Sequence, residues 1–468
     1  MLEAIFLALN SAETTAEIPT EISAPASVIA PVIAPVIAGE KSEKSQIHLI
    51  EEISGTLIYF YRDRDRLNVA DDSFHSNLDH QTFIRSVALK TPYFGSFIGF
   101  DFAVFGATDL YNYNSPDHEI NFFPWRDPWS ADYTKTKAQN GASIYAENIK
   151  LKLSAGEIEY WGKIGYFQPT GPGVLGVNWS FMPGTYKGAE AGINYGSLSI
   201  AAAYTNGYKA PWFANIYDFK KEDSATEIDY LYSIGAKYRF DRGIDIEAAY
   251  GESENYLQSA HIKLNYSQDD INLKYHIYLM GDRDQNGAND LYDGSTAYEN
   301  YLAASYSPYP YTFKAEFLQT SAPESSADHA GYFAYRLISR YGGANGAYEA
   351  WWDLRSDFNH NGEKAVFVAA SRDLDDLGAR GVSAGLSAAY GWGGKNSAAD
   401  EELRESAYAA DISYLALDEG GLKARFNLHY TYYDNHTNIP SWTGYKNAFQ
   451  DERDIKLLFT LSYDLNLH

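Results

Sequence analysis

The clearest order along the chain is an alternation of apolar and polar side chains with a period of two. In the stretch LKARFNLHYTY, Leu422, Ala424, Phe426, Leu428, Tyr430 and Tyr432 fall on one face, and Lys423, Arg425, Asn427, His429 and Thr431 on the other. Successive side chains of a strand point to opposite sides, so this pattern predicts a strand with one apolar and one polar face. The last stretch repeats it: Ile455, Leu457, Phe459, Leu461, Tyr463, Leu465 and Leu467 oppose Lys456, Thr460, Ser462, Asp464 and Asn466. Similar alternation runs through residues 271–279, 244–250 and 261–266. From Gly55 onward the chain therefore reads as all-β.

The connections alternate too, in length. Short turns are read at Asp418-Glu419-Gly420-Gly421, Ser267-Gln268-Asp269-Asp270 and Asp241-Arg242-Gly243, and long loops after Phe105, Gln168, Thr205, Met280, Gly391 and Tyr433. Short turns on one side and long loops on the other is the layout of a transmembrane β-barrel, and a soluble sandwich shows no such systematic asymmetry. The pattern yields roughly eighteen to twenty strands, with segments near Gly251 and Ala347 borderline. A barrel of that size cannot fill itself with side chains and encloses a water-filled channel.

Composition fits this reading. Hydrophobic residues make up 45% of the chain while the mean hydropathy is -0.38, so apolar and polar positions are interleaved. No run of about 18 apolar residues could cross a bilayer as a helix. The 40 Tyr among 468 residues exceed what core packing needs, and interfacial belts of amphipathic rings account for them. With 0 Cys, disulfides and thiolate metal sites are excluded, and a net charge of -25 argues against nucleic acid as a partner. Residues 1–50 stand apart. Met1 to Asn10 is apolar but carries Glu3 and has no basic region before it, unlike a standard signal peptide. The repeat VIAPVIAPVIA from Val28 to Ala38 suits neither a helix nor a central strand, so 1–50 reads as an atypical leader or a Pro- and Ala-rich tail, and 51–468 as the barrel.

Five stretches resemble the OprD-type outer-membrane porins, and within them the chitoporin branch: WSFMPGTYKGAEAG (179–192), TNGYKAPW (205–212), NDLYDG (289–294), WWDLRSDFNHNGEKAVF (351–367) and YDNHTNIPSWTGYKNAFQDERDIK (433–456). The resemblance implies an 18-stranded monomeric barrel with nine outer loops, set among outer-membrane lipid and lipopolysaccharide, that takes up chitooligosaccharides. Two features depart from the family pattern, the Pro-rich N-terminus and His468 in place of a terminal aromatic residue. The resemblance also implies that the loop from Gln168 to Lys187 folds into the lumen, which nominates Trp179, Phe181 and Tyr186 as lining residues. A second cluster, NFFPWRDPW, offers Trp125 and Trp129 beside Arg126, rings for the apolar faces of a pyranose and a planar charge for its hydroxyls; a plug holding a long loop together uses the same residues. Trp212, Trp352, Arg355 and Trp442 lie within the matching motifs, at expected strand–loop junctions. There the tryptophans are either girdle anchors or wall residues, and of the adjacent Trp351 and Trp352 one would face lipid and the other the lumen.

Other chemistry is thinner. Asp282, Asp284, Asn286 and Asp293 follow a calcium-loop spacing, with Asp where Glu is usual at the twelfth position, and DFNHNG (357–362) repeats its first half. Asp and Asn also dominate plain turns, which is the preferred reading. The carboxylates Asp451, Glu452 and Asp454 flank Arg453 and read as structural ion pairs, not as a glycosidase pair. No catalytic triad, zinc pattern or phosphate loop stands out, so the expectation is a channel with no cofactor and no reaction. The alternatives are an OprD-type channel for amino acids or other small polar solutes and, more remotely, a secreted all-β carbohydrate-binding protein.

Overall fold

The computed structural model describes residues 49–68, 70–112, 127–130, 140–177, 182–283, 289–325, 331–340, 342–395, 401–437 and 450–466. The strands are β1 (Glu52–Asn68), β2 (Ser73–Lys90), β3 (Ile98–Asn112), β4 (Gly141–Ala155), β5 (Ile158–Phe167), β6 (Thr185–Tyr195), β7 (Leu198–Lys209), β8 (Phe219–Lys220), β9 (Glu227–Ile228) and β10 (Leu231–Arg239). There follow β11 (Ile244–Ser253), β12 (Leu257–Gln268), β13 (Ile271–Asp282), β14 (Thr296–Tyr306), β15 (Tyr311–Ser321), β16 (Lys364–Asp373), β17 (Val382–Gly394), β18 (Leu403–Glu419), β19 (Leu422–Asn435) and β20 (Glu452–Asn466). All except β8 and β9, which form a two-stranded ribbon, belong to one 18-stranded antiparallel sheet.

That sheet closes on itself. β1 pairs with β20 from Glu52↔Asn466 to Arg66↔Glu452, and β7 pairs with β10 across the segment that carries the ribbon. Closure leaves no edge, so every strand of the wall has a neighbour on each side to accept and donate backbone hydrogen bonds, as a lipid-facing wall requires. Both described ends of the wall, Glu52 and Asn466, meet at the rim of the short turns.

Burial follows the period of two. On β19, Asn427, His429 and Thr431 are buried against the interior while Tyr430 faces outward. On β13, Leu273, Tyr275 and Leu279 are exposed outward and His276, Tyr278 and Met280 are enclosed. Tyrosines mark both ends of the outward face. Tyr298 and Tyr306 sit eight residues apart on β14, roughly 27 Å along a strand, which is the scale of the ~25 Å apolar band once tilt is allowed for. Tyr204 stacks on Tyr230 at 5.4 Å on the loop side, and Tyr311 on Phe313 at 5.9 Å on the turn side.

The structure refines several expectations. The borderline segment at Gly251 is the end of β11, and the one at Ala347 is not a strand but part of segment 322–363. β3 and β7 continue past Phe105 and Thr205 to Asn112 and Lys209, still pairing with β2 and β6 through a register shift in each ladder. The longest connection, 322–363, follows Ser321, where no long loop was expected. Trp351 and Trp352 lie in it, so neither is a strand residue with a lipid face.

The register makes a direct test. Leu428→Arg puts a charge on the lipid face and is expected to destabilise the barrel by about 2–4 kcal/mol near mid-membrane. Asn427→Arg, one residue away, is expected to fold and to alter ion selectivity. Folding in lipid vesicles, read as heat-modifiable gel mobility, separates them; equal folding of both would overturn the register.

Candidate transport path

Two outer segments enter the barrel and pair with each other. In 168–184, Thr170 and Gly171 donate backbone N–H bonds of 2.9 and 2.8 Å to Glu190 on the inner face of β6, and Val174 donates at 2.8 Å to Ser233 on β10. Residues 170–174 thus lie along the inner wall. The chain then forms a short antiparallel ladder with 322–363: Gly176 donates to the Asn345 carbonyl at 3.0 Å and Ala347 to that of Val174 at 2.9 Å. Glycine is needed here, since a Cβ on Gly176 would lie 2.0 Å from the Gly346 carbonyl oxygen. Tyr186 locks the junction, donating to the Asn345 carbonyl at 2.8 Å and accepting the Asn345 N–H at 3.0 Å.

From that junction the chain crosses the lumen. Glu349 accepts bonds from Lys263 on β12 at 2.7 Å and Lys274 on β13 at 2.9 Å. Trp352 donates its indole N–H to Glu316 on β15 at 2.8 Å, and Ser356 donates to Glu405 on β18 at 2.6 Å. Asp353 pairs with Lys456 on β20 and lies 3.4 Å from His429 on β19. Arg355 pairs with Glu452 and lies 3.9 Å from Asp454, both on β20. Arg62 on β1 holds Asp454 at 2.9 Å, and Arg66 holds Glu452 at 2.6 Å. Between β12 and β20 there are seven strands one way round the ring and nine the other, so residues 349–356 are tied to nearly opposite walls.

Electrostatics fixes these attachments. Burial works against ionising Glu349, yet Lys263 and Lys274 hold it well below the usual carboxylate range. Burial likewise opposes Asp353, and Lys456 and His429 outweigh it. Near the outer rim the balance reverses. Burial pushes Glu363 up to about 7 and His360 down to about 4.

The crossing segment also carries an aromatic cluster. Tyr335 and Tyr348 stack at 4.7 Å and 12°, and Trp351 stands edge-on to both at 5.0 and 5.4 Å. Tyr278 meets Tyr348 edge to face at 5.0 Å. Trp351 is half-buried and is the ring of this cluster with the most open surface. Trp352 lies flat against Phe367 at 5.2 Å and 12°.

The nominated residues fall into three groups. Trp125, Arg126, Trp179, Phe181 and Trp442 lie outside the described residues, as do Asp284 and Asn286 of the calcium-like spacing. Tyr186 and Trp212 are fully buried, Trp129 is 8% exposed, and Trp352 and Arg355 are buried where they anchor 322–363; as placed, these five hold loops together and do not face the open lumen. The carboxylate of Asp282 accepts N–H bonds from Leu291 at 2.7 Å, Tyr292 at 2.9 Å and Gly294 at 3.3 Å, which is turn chemistry, and Asp293 is exposed. Reading the sequence did not single out Glu349, Asp353, Tyr335, Tyr348, Lys263, Lys274 or His276. The one local signal was the alternation of Asp353 and Arg355 beside two tryptophans.

Because Glu349 and Asp353 are held below their usual range, the stability they contribute is present above about pH 4 and is lost as the pH falls through their lowered folded values. Acidification below about pH 4 should therefore loosen 349–356 before the barrel melts. In planar bilayers, single-channel current noise should rise on acidification, and Glu349→Gln should bring the noisy state to neutral pH. A trace equally quiet at pH 3 and 7 would show that these pairs do not pin the segment.

The comparisons agree with this architecture. Residues 52–460 match the family described as outer membrane porin, OprD family. The chitoporin of Escherichia coli (strain K12) is 37% identical over 431 residues, covering 87% of this chain and 90% of that protein. Among solved structures, Acinetobacter baumannii OccAB3 superposes with a TM-score of 0.68 at 14% identity, over 89% of this chain and 99% of that one. Pseudomonas aeruginosa OpdK, determined with vanillate, gives 0.66 at 16% identity, over 88% and 98%. At those identities the superpositions speak for the fold alone, whereas the family match spans nearly the whole wall. The chain is an outer-membrane β-barrel channel and belongs to the OprD family of porins.

Proposed function

We propose that this porin takes up chitooligosaccharides, working as a monomer in contact with outer-membrane lipid and lipopolysaccharide, with no chemical step. The observation that carries the reading is the half-buried Trp351 ring braced by the Tyr335–Tyr348 stack, set beside charges that already hold partners. A pyranose presents an apolar face to such a ring and hydroxyls to paired carboxylates and ammonium groups. Matched charges favour a neutral polar solute over an ion. The similarity to a protein named chitoporin points the same way. A monomer suffices because one chain closes the ring.

A second reading, passage of small carboxylate-bearing solutes, rests on Arg62, Arg64 and Arg66, which share the inner face of β1 at alternate positions. Both readings meet one experiment. A conducting site must capture and then release, so affinity should be micromolar to millimolar and spread over several contacts. In a planar bilayer, chitohexaose should interrupt the current briefly and in proportion to concentration, while maltohexaose and free amino acids should not. Trp351→Ala should shorten those interruptions several-fold and leave open conductance nearly unchanged. Equal blocking by maltohexaose would reduce the channel to a general sugar porin, and blocking by carboxylates but by no sugar would establish the second reading.

A further inference from the structure

At the outer rim, the end of the crossing segment meets the wall again, at the Glu405 carboxylate that also anchors Ser356. His360 and Glu363 come from 322–363 and Glu405 from the start of β18, and all three are 0% exposed. One ligand-capable atom from each lies within 4.8 Å of the others. The spacing DFNHNG suggested a calcium loop, but its asparagines point elsewhere: Asn359 donates to the Phe333 carbonyl at 2.8 Å, and Asn361 accepts the Ala322 N–H at 3.1 Å. The residues that converge are instead the histidine within the motif and the glutamate just after it.

Two observations ask for a positive centre there. Glu363 Oε2 accepts the His360 backbone N–H at 3.0 Å and the ring Nδ1–H at 2.7 Å, whereas its buried Oε1 accepts no hydrogen bond from a protein donor and borders Gly391 together with Glu405. The wall also leaves room for the group. A Cβ on Gly391 of β17 would lie 2.4 Å from Glu363 Oε1 and 3.2 Å from Glu405 Cγ, so only glycine clears the carboxylates. Glu405 is oriented by Ser356 at 2.6 Å and by the Tyr433 hydroxyl. Two buried carboxylates facing each other need a cation or a proton between them. One imidazole nitrogen with two carboxylates is a donor set for zinc and its first-row neighbours; calcium prefers six or more oxygens. Metal–ligand bonds of about 2.0–2.2 Å need the three atoms roughly 3.3 Å apart, so a bound ion would draw them in from their present spread of up to 4.8 Å.

We propose that His360, Glu363 and Glu405 form a site for a zinc-class divalent cation that ties the end of the crossing segment to β18. Bound metal would give 322–363 a fixed attachment near the mouth, additional to the ion pairs deeper in the lumen. The test uses the full chain refolded in detergent, stripped with EDTA and dialysed. Titration with ZnCl2 should show one high-affinity ion per chain, CoCl2 should give a visible d–d band that Zn²⁺ displaces, and Zn²⁺ should raise the melting temperature by several degrees, reversed by EDTA. His360→Asn and Glu363→Gln, confirmed folded by heat-modifiable mobility, should each weaken binding at least tenfold, while His75→Ala at the start of β2 should not. No metal bound by the wild-type chain would overturn the proposal and leave a proton shared between Glu363 and Glu405, which stabilisation by Glu363→Gln would then reveal. Undiminished binding in folded His360→Asn, or a site filled by CaCl2 but not by ZnCl2, would overturn it equally. If neither variant folds, the wild-type Co²⁺ band decides: a nitrogen-containing ligand field supports the site, and its absence removes it.

Discussion

A peptide group inside hydrocarbon has no water to bond, so it must be paired by the chain itself. Everything else here rests on that constraint. Pairing each strand with its sequence neighbours satisfies all but the first and last, and β1 against β20 satisfies those, so the ring closes and the register has no freedom left. Closure then assigns every residue of the wall to lipid or lumen by parity alone. The lipid face takes aliphatics between tyrosine belts, and the inner face is released to carry charge. A wall residue such as Lys456 or Asp454 is tolerable only because it lies on the side that the bilayer never sees.

The charged inner face is what lets an outer segment be brought inside and held. Taking Asp353, Arg355 and Glu349 out of water is expensive, and the attraction of a partner only roughly offsets it. Their value lies in position. Glu349 is held by β12 and β13, and Asp353 and Arg355 by β19 and β20 on the far side, so a single path across the lumen satisfies all three. An apolar segment could slide along an apolar wall; this one cannot move without stranding a charge. Trp352 adds shape to charge, with its ring against Phe367 and its N–H on Glu316.

How much of this the sequence disclosed follows from the range of the interactions. Strand faces are set by nearest neighbours along the chain, and Leu428 and Asn427 declare theirs by alternation. Tight turns such as 420–421 announce themselves through glycines and acids, and the family motifs carried the barrel and its strand number. The ends of β3 and β7 were not legible because alternation fails there while backbone pairing continues through bulges. The crossing segment was not visible as one. Asp353 finds Lys456 across 103 residues of sequence, and Tyr186 finds Asn345 across 159. No local pattern encodes such distances. Tryptophan content alone does not tell packing from exposure: Trp212 and Trp352 bury their rings, whereas Trp351, one residue away from the latter, is half-buried.

That difference between neighbours bears on how a pore can select without trapping. A buried charge left unpaired would bind an ionic solute strongly and release it slowly, and conduction needs the opposite. Pairing Glu349 with two lysines leaves its oxygens able to accept one more bond from a passing hydroxyl at little energetic gain, because the ammonium groups already hold it. On the proposed reading, a half-buried ring such as that of Trp351 adds a similarly modest, orientation-dependent contact. Selection then comes from the number of weak contacts met in sequence. A linear chain of rings with equatorial substituents can meet several at once, while a compact solute meets only one or two. The ion pairs that hold the segment in place also quench the charges along it, which is what the proposed passage of a neutral solute requires.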